Sequence, residues 1–357
     1  MATVGRGERI TLAVALIATI IAGILSAMGA GSILTFVVSG IALATLAAVV
    51  GMAVDQLSKL MSPGATGVLQ SALGNLPELF VGIFALRAGL VDVVQAALVG
   101  SILANSLLVL GLAFVVGGAR HGVQKFTPHE PRMVATLILL AVAALMVPTL
   151  ASELHTAAGQ HAEELSVACA VILLVVFVAS IPFSLGGQAK NLVEGEGTRD
   201  DEEPAWPLCL TVGALVMAGV GAAAVSDWFV AALTPTIELL HISQTFTGLV
   251  IVAIAGNAVE NVVGIQLAAK NKPDLAMSVI LNSSLQVALA LTPVLVLLSF
   301  VIGGAHLTLV LPLLLVVALG LSAILGTVIV FDGESTWLEG VALIGLYCIL
   351  AASFWWG

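Results

Sequence analysis

A stretch of 34 residues occurs twice in this chain. Gly74 to Leu107 (GNLPELFVGIFALRAGLVDVVQAALVGSILANSL) and Gly256 to Leu289 (GNAVENVVGIQLAAKNKPDLAMSVILNSSLQVAL) align without a gap at a constant offset of 182. Gly74/Gly256, Asn75/Asn257, Glu78/Glu260, Asp92/Asp274, Ser101/Ser283 and Leu107/Leu289 coincide, among others. Apolar residues coincide easily between two apolar runs, whereas a paired Gly-Asn-x-x-Glu inside them does not. The chain therefore holds an internal repeat with one acid per copy, and its fold has to use one supersecondary unit twice.

The solvent of that fold follows from the surroundings of the repeat. Of 357 residues, 60 % are hydrophobic and 9 % charged, far from the balance of a water-soluble domain. Apolar runs of about 20 residues, each enough to cross roughly 30 Å of hydrocarbon as a helix, recur along the whole chain. The alternating segments of about ten residues that a barrel requires are absent. An all-α, multi-pass integral membrane protein is expected, with the lipid bilayer as its surroundings.

Gly, Pro and charge clusters divide the chain into eleven transmembrane helices. They lie near 10–28, 32–54, 65–86, 91–117, 132–150, 163–184, 207–231, 245–268, 274–302, 307–330 and 338–356. The first follows Arg6 and Arg9 and is longer than the apolar core of a signal peptide, so a retained helix is preferred to a cleaved leader. With the N-terminus in the cytosol, ten of the eleven Lys and Arg fall in cytosolic segments and only Arg87 lies outside. That bias fixes the C-terminus outside, and a cell-membrane location is expected.

The two copies occupy spans three and four and spans eight and nine. Five spans separate equivalent helices, so the copies cross the membrane in opposite directions. The expected architecture is one peripheral helix plus two inverted five-helix repeats: residues 1–30, a first half over 31–185, an acidic cytosolic linker over 186–206, and a second half over 207–357. Inverted repeats in transporters place the substrate near the midplane, between the halves.

Six of the 21 acids fall between Glu194 and Glu203 in that linker. The net charge of −10 thus does not describe a surface for basic partners, and nothing points to nucleic acid. Cys169, Cys209 and Cys348 stand alone in separate runs, without metal or disulfide spacing. A homo-oligomer is compatible with the sequence but not called for by it.

Glu78 and Glu260 sit inside spans three and eight. An ionisable group at that depth marks an ion pathway or relay by default. No Lys, Arg or His lies within any span to neutralise them, so two acids at one depth must hold protons or share a cation. One site with two mutually exclusive occupants is what antiport needs, and Ca²⁺, which accepts six to eight oxygens in flexible geometry, suits it better than Mg²⁺. Ca²⁺ and H⁺ are then cargo, and no cofactor is expected. Backbone carbonyls must complete the shell. Pro77 denies the carbonyl of Leu73 its helical partner and Gly74 and Gly256 weaken the same turn, which makes the carbonyls of Leu73, Gly74, Ala255 and Gly256 candidates. A second tier of polar groups, Asn75, Asn257, Asn261, Gln95, Ser101, Asn105, Asn282, Ser283, Ser284 and Gln286, is read as a supporting polar pathway rather than as interhelical glue alone.

These residues carry a resemblance. DQLSKL, GNLPELFVGIFALRAGL, VVQAALVGSILANSLLVLGL and GGARH, with TFTGLVIVAIAGNAVENVVGIQLAAKNKPDLAM, SSLQVALALTPVLVLL and WLEG in the second half, resemble the Ca²⁺/H⁺ exchangers of the calcium/cation antiporter superfamily over nearly the whole chain. The resemblance implies eleven spans, an acidic stretch between two five-helix halves, and motif glutamates that carry cation and protons, here Glu78 and Glu260. Many members have His after the second motif Glu; Asn261 stands there and cannot titrate, so coupling falls to the glutamates. Pro77 is similar to the Pro-Glu of the related Na⁺/Ca²⁺ exchangers.

A Ca²⁺/H⁺ antiporter is therefore the leading expectation. A Na⁺/Ca²⁺ or other divalent-cation exchanger of the same superfamily is the alternative, followed by a cation channel. An enzyme is disfavoured, because no nucleophile and base or His-rich metal motif lies within the spans.

Overall fold

The computed structural model describes residues 4–59, 73–193 and 206–356. Among them the chain is nearly all helical. The helices are α1 (Arg6–Ala27), α2 (Ser32–Ser58), α3 (Leu76–Arg87), α4 (Val91–His121), α5 (His129–Glu153), α6 (Ala162–Val193), α7 (Leu208–Leu240), α8 (Gln244–Gly256), α9 (Ala258–Ala269), α10 (Pro273–Ser299), α11 (Leu313–Ile329) and α12 (Trp337–Ser353). The only sheet among the described residues pairs β1 (Gln124–Lys125) antiparallel with β2 (Glu334–Ser335). Seven helices are long and apolar enough to cross a membrane, and α8 with α9 forms an eighth such span bent by 65°. This is a multi-pass integral membrane protein. Each expected span meets a helix, although α11 and α12 are short, with 17 residues each. The start of span three and the acid run Asp200–Glu203 lie outside the described residues.

The repeat is visible in the backbone. Leu76–Arg87 and Ala258–Ala269 have the same 12-residue length at the same sequence offset. The next helices begin at Val91 and Pro273, and Gly89 and Asn271, again equivalent, both adopt positive φ at 77° and 55°. π-Helical turns interrupt α4 at Ala104–Val109 and α10 at Val287–Leu291, which are also equivalent stretches. Such turns carry an extra residue per turn and leave a local break in the regular hydrogen-bond ladder.

Packing divides the chain into two compact units, and each draws on both sequence halves. One comprises Met1–Phe84 with Val176–Leu240. In it α1, α2 and α7 pack together, Phe36 stacks on Phe229 with ring centroids 4.6 Å apart, and the Trp206 indole donates to Glu8 Oε2 at 3.0 Å. The other comprises Ala85–Val175 with His241–Gly357. Small residues set its closest approaches. A Cβ on Gly100 would lie 2.3 Å from the carbonyl oxygen of Leu249, and one on Gly248 would lie 2.4 Å from that of Val93, so α4 and α8 touch backbone to backbone. Gly111 and Gly340 do the same for α4 and α12, where a Cβ on either would come within 2.7 Å of the other's carbonyl oxygen. Without a hydrophobic drive between helices in lipid, such close packing is a main source of their association.

Span ten departs from the expected 307–330. Its helix starts only at Leu313, after Pro312, and residues 305–312 run extended. Leu307, Leu309 and Leu311 are buried in alternation with the more exposed Thr308 and Val310, the period of two of a strand. The segment has no strand partner, so its polar groups bond elsewhere. Leu307 N donates to Ser299 Oγ at 2.9 Å, Leu309 N to Ser166 Oγ at 2.9 Å and Leu311 N to Thr149 Oγ1 at 2.8 Å. Thr149 Oγ1 donates in turn to the Leu309 carbonyl at 3.0 Å. Non-helical backbone at membrane depth is tolerated only when satisfied in this way.

Candidate functional site

The two motif acids occupy the same local frame. Gly74 and Asn75 form a turn, α3 begins at Leu76, and Glu78 lies in its first turn, half-buried. In the second copy α8 ends at Gly256, Asn257 is the non-helical hinge, and Glu260 lies half-buried in the first turn of α9. The main-chain bonds match as well: Leu79 N donates to Asn75 O at 2.9 Å, and Asn261 N to Asn257 O at 3.0 Å.

This arrangement refines the expectation of acids within weakened helices. Pro77 is not the cause of the break, because the second copy breaks at the same place with Val259 there. Gly-Asn is the shared element, and Pro77 falls in the first turn of α3, where its missing N–H leaves no helical bond unmade. A carboxylate in a first turn faces the positive end of the helix dipole, which favours its charged form. On the other side of the break, α8 ends in carbonyls. Ala253 O accepts from Asn257 N at 3.2 Å, and among the described residues no backbone bond crosses the break to Ala255 O or Gly256 O. In the first copy Leu73 O has no proton to accept from Pro77, and Gly74 lies in the turn itself.

Behind the α8–α9 break is a polar cluster drawn from both copies. Asn257 Nδ2 donates to Ser101 Oγ at 2.9 Å and to Ala253 O at 3.0 Å, and Asn257 Oδ1 accepts from Ser283 Oγ at 3.3 Å. Asn105 Nδ2 donates to Ser283 Oγ at 2.9 Å. Ser106 and Ser284, the second of which was expected and the first not, lie 3.3 Å apart through their hydroxyls. Ser101, Asn105, Asn257, Ser283 and Ser284 are thus assembled, all of them buried.

Other members of the expected set lie elsewhere. Gln95 Nε2 donates to the carbonyls of Thr308 and Val310 at 2.9 and 3.0 Å, which commits both amide protons to the extended segment. Asn282 donates to Ser278 O at 2.9 Å within its own helix. Gln286 is half-buried and Asn75 is buried. Asn261 is 9 % exposed, and its Oδ1 has no hydrogen-bond partner among the described residues. No group of three or more His, Cys, Asp or Glu comes together among the described residues, so a cation here would depend on carboxylates, amide and hydroxyl oxygens and backbone carbonyls.

Thr149, Ser166 and Ser299, which hold the extended segment, drew no attention in the sequence. Each is a lone hydroxyl in an apolar run, and the one available signal was the Leu-x-Leu-x-Leu alternation from Leu307 to Leu311.

Comparison with known proteins follows the same lines. A family model for "Sodium/calcium exchanger protein" matches residues 31–186 and 210–356. A Ca²⁺/H⁺ antiporter of Synechocystis sp. is 36 % identical over 343 residues, covering 92 % of each chain. The Ca²⁺/H⁺ antiporter ChaA of Bacillus subtilis is 34 % identical over 331 residues, covering 90 % of this chain and 92 % of that one. The solved structure of native YfkE superposes with a TM-score of 0.82 at 31 % identity, over 97 % of this chain and 99 % of that one.

Proposed function

We propose, from the premise that this chain belongs to the sodium/calcium exchanger protein family, that it is a secondary antiporter moving Ca²⁺ and H⁺ in opposite directions across a membrane. The observation that carries this reading is the equivalence of Glu78 and Glu260, each in the first turn of a 12-residue helix that starts directly after a Gly-Asn break. Two such acids, with no base among the motif residues, have two neutral states: both protonated, or both ionised around one divalent cation. Ca²⁺ entry then releases the protons, and their return releases Ca²⁺, so neither cargo crosses twice in the same direction.

The C-terminal carbonyls of α8 complement the acid. Half-helix C-termini carry partial negative charge and coordinate cations in transporters built on broken helices. Ala255 O and Gly256 O, with Leu73 O and Gly74 O in the first copy, are the backbone ligands in this reading. The cluster of Asn257, Ser101, Ser283 and Asn105 fixes the break that presents them. The two inverted five-helix repeats, eleven spans in all, give alternating access to the shared ion. The distribution of Lys and Arg puts the N-terminus in the cytosol and the C-terminus outside, in the cell membrane.

The test is purified protein in sealed vesicles with a pH-sensitive dye inside and no Na⁺ present. Added Ca²⁺ is expected to drive proton movement opposite to its own, and an imposed pH gradient to drive Ca²⁺ accumulation. Ca²⁺ flux that ignores the pH gradient and follows a Na⁺ gradient would replace this reading with Na⁺/Ca²⁺ exchange.

A further inference from the structure

We infer that Gln124 is a positioning residue for Glu260, acting through the far end of α9; the inference rests on the cation-carrying role proposed for that acid. With 12 residues, α9 is about 18 Å long. The 65° bend at Asn257 means that its direction is not inherited from α8 and has to be set by what grips its ends. Asn257 and its partners grip the first end. At the second end, the last carbonyls of any helix lack intrahelical donors.

Here those donors come from the segment after α4. Gln124 Nε2 donates to Ala268 O at 3.1 Å, and His121 Nε2 lies 3.0 Å from Ala269 O, at which its N–H is the donor. The other Gln124 amide proton goes to Asn271 Oδ1 at 2.9 Å, in the positive-φ turn that follows α9. Gln124 is 3 % exposed and its own backbone is fixed, since it pairs with Ser335 in the β1–β2 ladder. Thr127 N extends the grip to Asp274 Oδ1 at 2.7 Å, at the start of α10.

The route to α9 is open only because Gly117 has no side chain. A Cβ there would lie 1.8 Å from Gln124 Oε1 and 3.3 Å from Ala268 O. The glycine of α4, the glutamine of β1 and the carbonyl of α9 therefore form one stacked contact, two helical turns from Glu260. Nothing else in this contact calls for an amide, because an apolar side chain would fill the space but leave two buried acceptors without donors. With that end released, α9 is free to tilt about Asn257 and to turn about its own axis, and Glu260 moves with it. Oxygen ligands to Ca²⁺ sit within 2.3–2.6 Å of the ion, so displacements well under 1 Å weaken binding before they affect folding.

The experiment compares the full-length wild type with Gln124→Met and Gly117→Ala in sealed vesicles, measuring Ca²⁺-driven proton flux against Ca²⁺ concentration, with thermal unfolding of the same preparations in detergent. The two substitutions reach the contact from opposite sides. Each is expected to raise KM for Ca²⁺ about tenfold, with kcat within threefold of wild type. A role confined to folding would lower the amount and melting temperature of the protein while leaving KM unchanged, and that result would overturn the inference. Should Gln124→Met fail to fold, Gln124→Asn, which keeps the amide but shortens its reach, is read in the same way. Absence of proton flux in the wild type would sink the proposed function itself, whereas normal wild-type exchange with an unchanged KM in the variants would sink only the role of Gln124.

Discussion

Asn257, which breaks the helix of the second repeat copy, is held by Ser101 of the first copy through a 2.9 Å hydrogen bond from its side-chain amide. The copies are interleaved at this point, and Ser283, the repeat equivalent of Ser101, closes on the same asparagine from the other side at 3.3 Å.

Asn257→Ala removes two donated bonds and one accepted bond in a buried setting. It is expected to cost about 1–3 kcal/mol and to lower exchange at least tenfold. Ser101→Ala should cost less, and the double variant should show a coupling of about 1 kcal/mol. Thermal unfolding in detergent, combined into a double-mutant cycle, measures this; additive losses would mean that the contact contributes nothing.

Glu78→Gln and Glu260→Gln each remove the charge while keeping the shape. Ca²⁺-driven proton flux in vesicles is expected to fall at least a hundredfold in either variant, with the yield and melting behaviour of folded protein retained. Normal exchange by either one would defeat the site assignment.

Asn261→Ala deletes a side chain that cannot titrate and whose buried oxygen has no partner among the described residues. Proton movement should continue to accompany Ca²⁺ in this variant. Ca²⁺ binding that persists while proton movement disappears would return the coupling to this position.

Gly100→Ala and Gly248→Ala each force a Cβ to within 2.5 Å of a facing carbonyl oxygen. Overpacking of this kind costs about 1–3 kcal/mol and more where backbone must move. Gly213→Ala, with nothing within 4 Å, should instead leave stability unchanged or raise it by about 1 kcal/mol, the helix-propensity difference. Melting temperatures of the three variants check the contrast directly.

Gln95→Leu leaves the carbonyls of Thr308 and Val310 without their donor. A loss of roughly 1–3 kcal/mol is expected, with faster proteolytic cleavage near residues 305–312 and an unchanged KM for Ca²⁺. A raised KM at full stability would restore Gln95 to the ion pathway.

The acids were legible in the sequence because they occur twice, in matching contexts that apolar drift does not generate. The spans were legible because crossing a bilayer demands hydrophobic length. Less visible was how the chain uses polar groups once it is buried. Gln95 and Ser101 look alike on the page, each a polar residue on the same apolar helix, yet one satisfies an extended strand and the other a helix hinge. The difference depends on what packs opposite, and opposite Gln95 lies a segment more than 200 residues away. The break was attributed partly to Pro77, but Asn257 makes the same break without a proline. Leu307 to Leu311 read as the start of a helix because length and hydrophobicity cannot tell a strand from a helix over five residues. The packing units, which take helices from both halves, were not foreshadowed by the repeat, since duplication describes ancestry along the chain and not which surfaces meet.

The run from Leu307 to Leu311 has a counterpart in how the protein tolerates change of length. Its three leucines face inward by strict alternation while three hydroxyl side chains receive its amides, so inserting or deleting one residue would reverse the direction of every leucine beyond that point. Connections of this kind normally absorb insertions freely; this one is a measured part. Tags, labels and grafted epitopes belong at the exposed turn of residues 154–161, where no such phase has to be kept.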